Sequence, residues 1–149
     1  MTARVRPKAV CVCARGDAIL VNAATDAVKG ETFYGPLGGE IEFGERAADA
    51  VVRELREEVG VEVADVRRLG VLENVFTYEG APGHEIVFVF DARLADPTLY
   101  DRAPLLGVES NGVRFEARWM PLATFAPGGP PLYPDGLYAL LRELGTCAG

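Results

Sequence analysis

Hydrophobic and polar residues alternate along the chain in blocks that predict several strands and two helices. Runs rich in β-branched and aromatic residues predict the strands, with Gly70 as the site of a bend or bulge in one of them. These strands are expected over residues 8–15, 18–23, 61–77, 85–94 and 113–122. Residues 46–59 lack glycine and proline and are followed by Gly60, which predicts a helix, and residues 135–144 predict a second. Strands around two helices predict a mixed α/β (α+β) layered fold.

The segments between these elements are polar or rich in glycine and proline. Residues 22–32, 96–112 and 126–134 are therefore predicted to be loops. Residues 33–43 are predicted to form short extended pieces around a glycine-rich turn.

The first predicted helix carries carboxylates on one side. At about 100° per residue, Glu54, Glu57 and Glu58 fall together, apart from the apolar arc that we expect to face the core. That arc contains Ala48, Val52, Leu55 and Val59. Carboxylates three and four residues apart repel each other, whereas Mg²⁺ or Mn²⁺ would reverse the sign of the interaction because both prefer oxygen ligands. A solvated acidic face, partly balanced by Arg53, is the alternative.

Composition bounds the class of protein. The 149 residues predict a single domain over residues 1–149, and the 49% hydrophobic fraction is typical of a globular protein. No apolar run approaches the roughly 20 residues that a membrane span needs. Three cysteines without a visible signal peptide favour a reducing, cytoplasmic location. The net charge of −7 argues against binding of long nucleic acid through its backbone, although a divalent cation would still permit binding of phosphates.

The stretch from Gly39 to Val61 has a distinctive spacing: Gly, five residues, Glu, seven residues, Arg-Glu, an aliphatic, one residue, Glu-Glu, one residue, Gly, an aliphatic. The matching positions are Gly39, Glu45, Arg53, Glu54, Leu55, Glu57, Glu58, Gly60 and Val61. This spacing resembles the Nudix box, and the chain resembles the Nudix (MutT-like) hydrolases. Further similar segments are Pro36–Gly39, Glu73–Phe76, Gly83–Ile86 and Trp119–Leu122. The chain departs from the family in having Pro-Leu-Gly-Gly where many members have Leu-Pro-Gly-Gly.

The resemblance implies an α/β/α sandwich with a central mixed β-sheet. It also implies a pyrophosphohydrolase that uses Mg²⁺, or Mn²⁺, and water to cleave the diphosphate linkage of a small nucleoside diphosphate derivative. The implied metal ligands are the Gly38 carbonyl, Glu54, Glu57 and Glu58, and Glu45 and Arg53 are implied as an ion pair that supports this catalytic group. The alternative is a Nudix-fold module that senses a nucleotide or another ligand without turnover.

Four residues outside the main motif are candidates for substrate binding: Phe33, Tyr34, His84 and Glu116. The two aromatic rings could stack a nucleobase or belong to the core, and His84 could instead make a structural hydrogen bond. The general base is open, with Glu54 first, Glu116 second, and Glu85 and Glu109 as further candidates. The expected partner is a small nucleotide-type substrate, without long nucleic acid or membrane, and a homodimer is compatible with the sequence.

Overall fold

The computed structural model describes residues 3–102 and 104–145, so Cys147 lies outside the described residues. Over the described residues the chain forms two β-sheets and two α-helices. The strands are β1 (Arg6–Val12), β2 (Ala14–Arg15), β3 (Ala18–Asp26), β4 (Glu31–Gly35), β5 (Leu37–Glu40), β6 (Val63–Tyr78), β7 (Ala81–Leu94), β8 (Leu105–Val108) and β9 (Arg114–Pro121). The helices are α1 (Ala47–Val59) and α2 (Leu137–Leu144), and short 3-10 turns cover Pro97–Tyr100 and Leu122–Phe125.

The first sheet is mixed and has the strand order β5-β1-β7-β6. Its β1 and β7 run parallel, whereas β1–β5 and β6–β7 are antiparallel pairs. The second sheet is antiparallel, with the order β2-β3-β9-β8 and with β4 beside β3. The predicted mixed class of α and β structure is confirmed.

The core is divided between the two faces of the mixed sheet because successive side chains of a strand point to opposite faces. On one face, Ala9 and Cys11 of β1 pack with Leu55 of α1. On the other face, Val10 and Val12 pack with residues of α2, such as Leu137 and Leu141. The helices therefore flank the mixed sheet, and no helix among the described residues is long and apolar enough to cross a membrane.

Two of the predicted loops contain strands. Residues 22–32 form the end of β3, a turn and the start of β4, because the buried Asp26 carboxylate accepts hydrogen bonds from the backbone N–H groups of Val28 and Lys29 and holds a tight turn. Residues 96–112 contain β8, which pairs with β9 and buries alternate side chains. The bulge predicted at Gly70 is confirmed, since the register of β6 against β7 shifts between Arg68 and Gly70.

The predicted core arc of α1 is correct in part. Leu55 is buried and Val59 packs against the core as expected, but Ala48 is exposed, and Ala50 and Val51, which the prediction left outside the arc, are buried. The small Ala47 and Ala50 let the helix approach the mixed sheet on the side that also carries Glu54. The helix ends as predicted at Gly60, which adopts a left-handed conformation with φ 68° and donates its N–H to the Arg56 carbonyl.

Candidate active site

Two adjacent glycines of β5 allow the chain to pack unusually tightly beside α1. A Cβ atom on Gly39 would lie 2.4 Å from Cδ of Glu54 and 2.5 and 2.6 Å from its two carboxylate oxygens. A Cβ atom on Gly38 would lie 2.1 Å from the carbonyl oxygen of Ala9 on the neighbouring strand. Gly38 therefore requires glycine because backbone atoms block a Cβ there, whereas a Cβ on Gly39 would displace the Glu54 carboxylate, whose seat the Gly39 backbone forms.

Arg53 connects the loop before α1 to the carboxylates of the helix. Its Nε and Nη2 donate to the two carboxylate oxygens of Glu45 at 2.7 and 2.9 Å. Its Nη1 donates to Glu54 at 3.0 Å and to Glu57 at 3.2 Å, and Nη2 also donates to the carbonyl oxygen of Glu40 at 3.1 Å. The Arg53 guanidinium lowers the pKa of Glu45, so this bidentate pair holds the loop against the helix in its charged form.

Glu58 lies one helical turn beyond Glu54 and is half-buried. Its Oε1 is buried and has no hydrogen-bond partner among the described residues. Burial first, and then the carboxylate of Glu54 and the negative charge of Glu109, together raise the pKa of Glu58 to about 8, whereas Lys8 opposes the shift. Such a carboxylate oxygen, buried without a donor beside a second carboxylate, is typical of a place where a cation belongs.

The donor set fits Mg²⁺ rather than a metal bound by protein ligands alone. Within residues 3–102 and 104–145, no group of three or more acidic, histidine or cysteine side chains is arranged to hold a metal ion. Glu57 is 61% exposed at its side chain and turns towards Arg53, whereas the Glu54 side chain is only 14% exposed. Mg²⁺ commonly binds one or two carboxylates and takes its other ligands from water and substrate phosphates.

A cleft of about 450 Å³ lies next to Glu58 and Gly38. It is lined by Lys8, Asn22, Ala24, Asp26, Lys29, Glu31, Phe33, Gly35, Pro36, Leu37, Gly38, Glu58, Asn74, Phe76, Thr77, Tyr78, Glu85, Glu109, Pro131, Leu132, Tyr133 and Asp135. A larger cavity of about 690 Å³ lies at the C-terminal end of α1. None of the described residues that line the larger cavity is a carboxylate of the predicted catalytic group, so the smaller cleft is the candidate site.

Aromatic side chains form one wall of the cleft. The rings of Phe33 and Tyr78 meet edge to face, with centroids 6.0 Å apart. Phe76 lies over Gly83, where a Cβ atom would be 2.3 Å from Cζ of its ring. Phe33 and Phe76 are half-buried and Tyr78 is exposed, and aromatic rings at the edge of a cleft are suited to stacking against a planar ring.

The four candidate substrate contacts are not brought together. Phe33 lines the cleft, but Tyr34 is not among the cleft-lining residues, and its ring packs against Phe125 with centroids 5.5 Å apart. Glu116 is exposed on β9 and pairs with Arg118, outside the cleft lining. His84 lies opposite Val75 in the β6–β7 hairpin and also does not line the cleft.

Of the carboxylates considered as the general base, Glu85 and Glu109 line the cleft. Glu85 is only 8% exposed, accepts a hydrogen bond from the Tyr133 hydroxyl and has Lys8 Nζ 3.8 Å from its Oε2. Sequence reasoning missed Lys8 and Tyr133. The available signal was that Lys8 shares one face of β1 with Val10 and Val12, whose side chains are buried.

The comparison that decides the family is a match to the family model of the NUDIX domain over residues 4–143. The chain belongs to the NUDIX domain family. The predicted resemblance is therefore confirmed over nearly the whole chain, including the segment that holds the carboxylates of α1.

This Nudix chain is similar to proteins named NAD-capped RNA hydrolase NudC. It is 42% identical to the protein from Pseudomonas aeruginosa over 67 residues, which are 45% of this chain and 23% of that protein. It is also 42% identical over 67 residues to the protein from Pseudomonas putida, covering 45% of this chain and 24% of the relative. The matched region thus spans about a quarter of the length of these relatives.

Solved structures show the same fold. A MutT NUDIX hydrolase from Burkholderia pseudomallei has a TM-score of 0.67 and 22% identity, with 95% of this chain and 98% of that chain covered. The E. coli ORF135 protein has a TM-score of 0.64 and 20% identity over 97% of this chain and 93% of that chain. A structure named ADP compounds hydrolase has a TM-score of 0.63 and 19% identity, covering 97% and 75% of the two chains.

Proposed function

We propose that this Nudix chain is a Mg²⁺-dependent pyrophosphohydrolase that cleaves the diphosphate linkage of a small nucleoside diphosphate derivative. The observation that carries the proposal is the buried, unpartnered Oε1 of Glu58 beside the seated Glu54, at the edge of a cleft with an aromatic wall. A cation held by the carboxylates, next to room for a nucleoside, provides the two elements that such a reaction needs.

Glu54 and Glu58 are the carboxylates that would hold Mg²⁺ first, and Glu57 and the Gly38 carbonyl are the further ligands that the family motif implies. When bound, the ion would polarise phosphoryl oxygens and lower the pKa of a water ligand. Arg53 keeps the carboxylates of Glu54 and Glu57 oriented through its Nη1, which keeps the geometry of the site fixed before substrate arrives. Glu54 remains our first candidate for the base that accepts a proton from the attacking water.

The substrate class follows from the cleft and from the names of the relatives. The aromatic wall of Phe33, Phe76 and Tyr78 would stack a nucleobase. One relative is named for hydrolysis of NAD-capped RNA and one structure for ADP compounds, so NADH and ADP-ribose are the first substrates to test. The net charge of −7 favours the free dinucleotide over a capped RNA.

The test is a panel of substrates incubated with MgCl₂, with products separated by anion-exchange chromatography. The panel contains NADH, ADP-ribose, nucleoside triphosphates, dinucleoside polyphosphates, nucleotide sugars and a short NAD-capped RNA. We expect one or more members to be cleaved at the diphosphate linkage, and cleavage to require the divalent cation. Specific nucleotide binding without cleavage of any panel member would instead support the ligand-sensing module.

Variants of the carboxylates link turnover to the site. Glu57→Gln and Glu58→Gln should each lower turnover by about 100-fold or more, because each removes charge that would hold the cation. Glu62→Gln is the matched control, since Glu62 is an exposed carboxylate just beyond α1 that pairs with Arg56. Equal rates in all four proteins would rule out the proposed metal ligands.

A further inference from the structure

Lys8 is a cation in an acidic cleft. The cleft lining contains Lys8 and Lys29 as its basic residues. The acidic residues of the lining are Asp26, Glu31, Glu58, Glu85, Glu109 and Asp135. A diphosphate entering this cleft would therefore be repelled unless positive charge meets it directly.

The two lysines differ in what their ammonium groups contact. Lys29 Nζ donates to the carbonyl oxygen of Thr77 at 2.7 Å and lies 4.0 Å from the Asp26 carboxylate, which joins the β3–β4 turn to the end of β6. Lys8 has a side chain that is only 27% exposed, and its Nζ lies 3.8 Å from Glu85 Oε2, beyond hydrogen-bonding distance. The Lys8 ammonium group makes no hydrogen bond to any residue in the described part of the chain.

An ammonium group has three hydrogen-bond donors. A lysine that is largely covered, and whose ammonium group has no acceptor within the protein, therefore has donors available for an acceptor on a ligand. Glu85 and Tyr133 hold Lys8 in position. The Tyr133 hydroxyl donates a hydrogen bond to Glu85 Oε1, and the other carboxylate oxygen, Oε2, faces the Lys8 ammonium group. Lys8 and Glu58, the carboxylate expected to hold Mg²⁺, line the same cleft.

We propose that Lys8 binds a phosphate of the substrate directly, with Glu85 and Tyr133 as positioning residues that hold its ammonium group towards the cleft. The diphosphate would then lie between two positive charges, the cation at Glu58 and the ammonium of Lys8. The proposal rests on the proposed function for the choice of a nucleoside diphosphate as ligand.

The test compares binding of a nucleotide and its nucleoside, which separates recognition of phosphate from recognition of the base. Calorimetry with MgCl₂ measures the affinities of ADP and adenosine for the full chain, and guanosine, cytidine and uridine pairs are measured in the same way to cover other bases. In Lys8→Met we expect the affinity for the preferred nucleoside diphosphate to fall by about tenfold or more, with little change for the nucleoside. Lys8→Arg should retain most of the nucleotide affinity.

Arg67→Met is the matched control and should leave the ratio of nucleotide to nucleoside affinity unchanged, because Arg67 is an exposed cation that pairs with Asp91 and does not line the cleft. Thermal melting is measured for every variant, and if Lys8→Met does not fold, Glu85→Gln provides the second test by releasing Lys8 from its anchor and weakening only the nucleotide. Equal losses for nucleotide and nucleoside, no loss for either, or no nucleotide binding by the unaltered chain would overturn the proposal. Loss of nucleotide binding in Lys8→Met without turnover of any substrate would support the phosphate site while contradicting the proposed hydrolysis.

Discussion

The substitution Gly39→Ala tests the seat of Glu54 with the smallest change that the chain allows. Gly39 lies in β5 without a positive φ, so its backbone accepts alanine. The new Cβ atom would lie 2.4 Å from Glu54 Cδ, about 1 Å short of the 3.4 Å at which ordinary contact begins. The Glu54 carboxylate must therefore move by about 1 Å or change its rotamer.

The size of the effect follows from this displacement. A misplacement of about 1 Å in a catalytic group lowers the rate by about 100-fold, which corresponds to about 2.7 kcal/mol of transition-state stabilisation. The fold should tolerate the change, because replacing glycine by alanine within a strand favours folding by about 0.5–1 kcal/mol and offsets part of the local strain.

The assay is steady-state hydrolysis of the best substrate of the panel, together with the shift in melting temperature caused by MgCl₂. Gly70→Ala is the matched control, because its Cβ atom would lie 3.3 Å from a terminal methyl group of Leu140 and away from the carboxylates. We expect Gly39→Ala to be folded, about 100-fold slower and less stabilised by Mg²⁺. Full activity with an unchanged Mg²⁺ shift would refute the role assigned to the seat.

Three further predictions concern the charged groups. Arg53→Lys should lower turnover by about tenfold or more, because lysine cannot contact Glu45 and Glu54 through a planar fork; Arg56→Lys is the control. MgCl₂ should raise the melting temperature of the unaltered chain and raise it less in Glu58→Gln, and equal shifts would place the ion elsewhere. Between pH 4.5 and about 8, native Glu58 holds a proton that the unfolded chain has lost. Stability of the metal-free protein should therefore fall as pH rises through this window, and urea unfolding of Glu58→Gln should show a weaker dependence.

The sequence predicted those parts of the site that depend on local spacing. The bidentate contact between Glu45 and Arg53 joins residues eight positions apart, across a loop and the first turns of α1. The helix itself, its end at Gly60 and the common side of its carboxylates follow from helical periodicity. The family motif added the expectation that these carboxylates act together.

The parts that the sequence did not predict depend on partners distant in the chain. The glycines of β5 leave room for the side of α1 that carries Glu54, which a helical wheel does not show. The wheel ranks residues by hydrophobicity alone, and it therefore placed Ala48 in the core and left Ala50 out of it. Residues 33–35 of β4 belong to the stretch predicted to be extended, but the start of β4 and the whole of β8 lie in predicted loops, and only pairing with β3 and β9 identifies them as strands.

Strand register also decides which side chains reach the cleft. Phe33 and Tyr34 are neighbours in sequence, yet alternation along β4 sends the first to the cleft and the second towards Phe125. Lys8 and Tyr133 are brought to Glu85 from opposite ends of the chain, which local patterns do not show.

Phosphorus NMR of each member of the substrate panel, beginning with ADP-ribose and NADH and mixed with the protein and MgCl₂, follows cleavage of the diphosphate linkage itself. We expect the diphosphate resonances of one or more substrates to be replaced by the resonances of the cleaved products. Glu58→Gln should slow this conversion by about 100-fold or more, and Glu62→Gln should not. Diphosphate resonances that persist for every member of the panel with the unaltered chain, or conversion by Glu58→Gln at the unaltered rate, would show that the proposed hydrolysis is wrong.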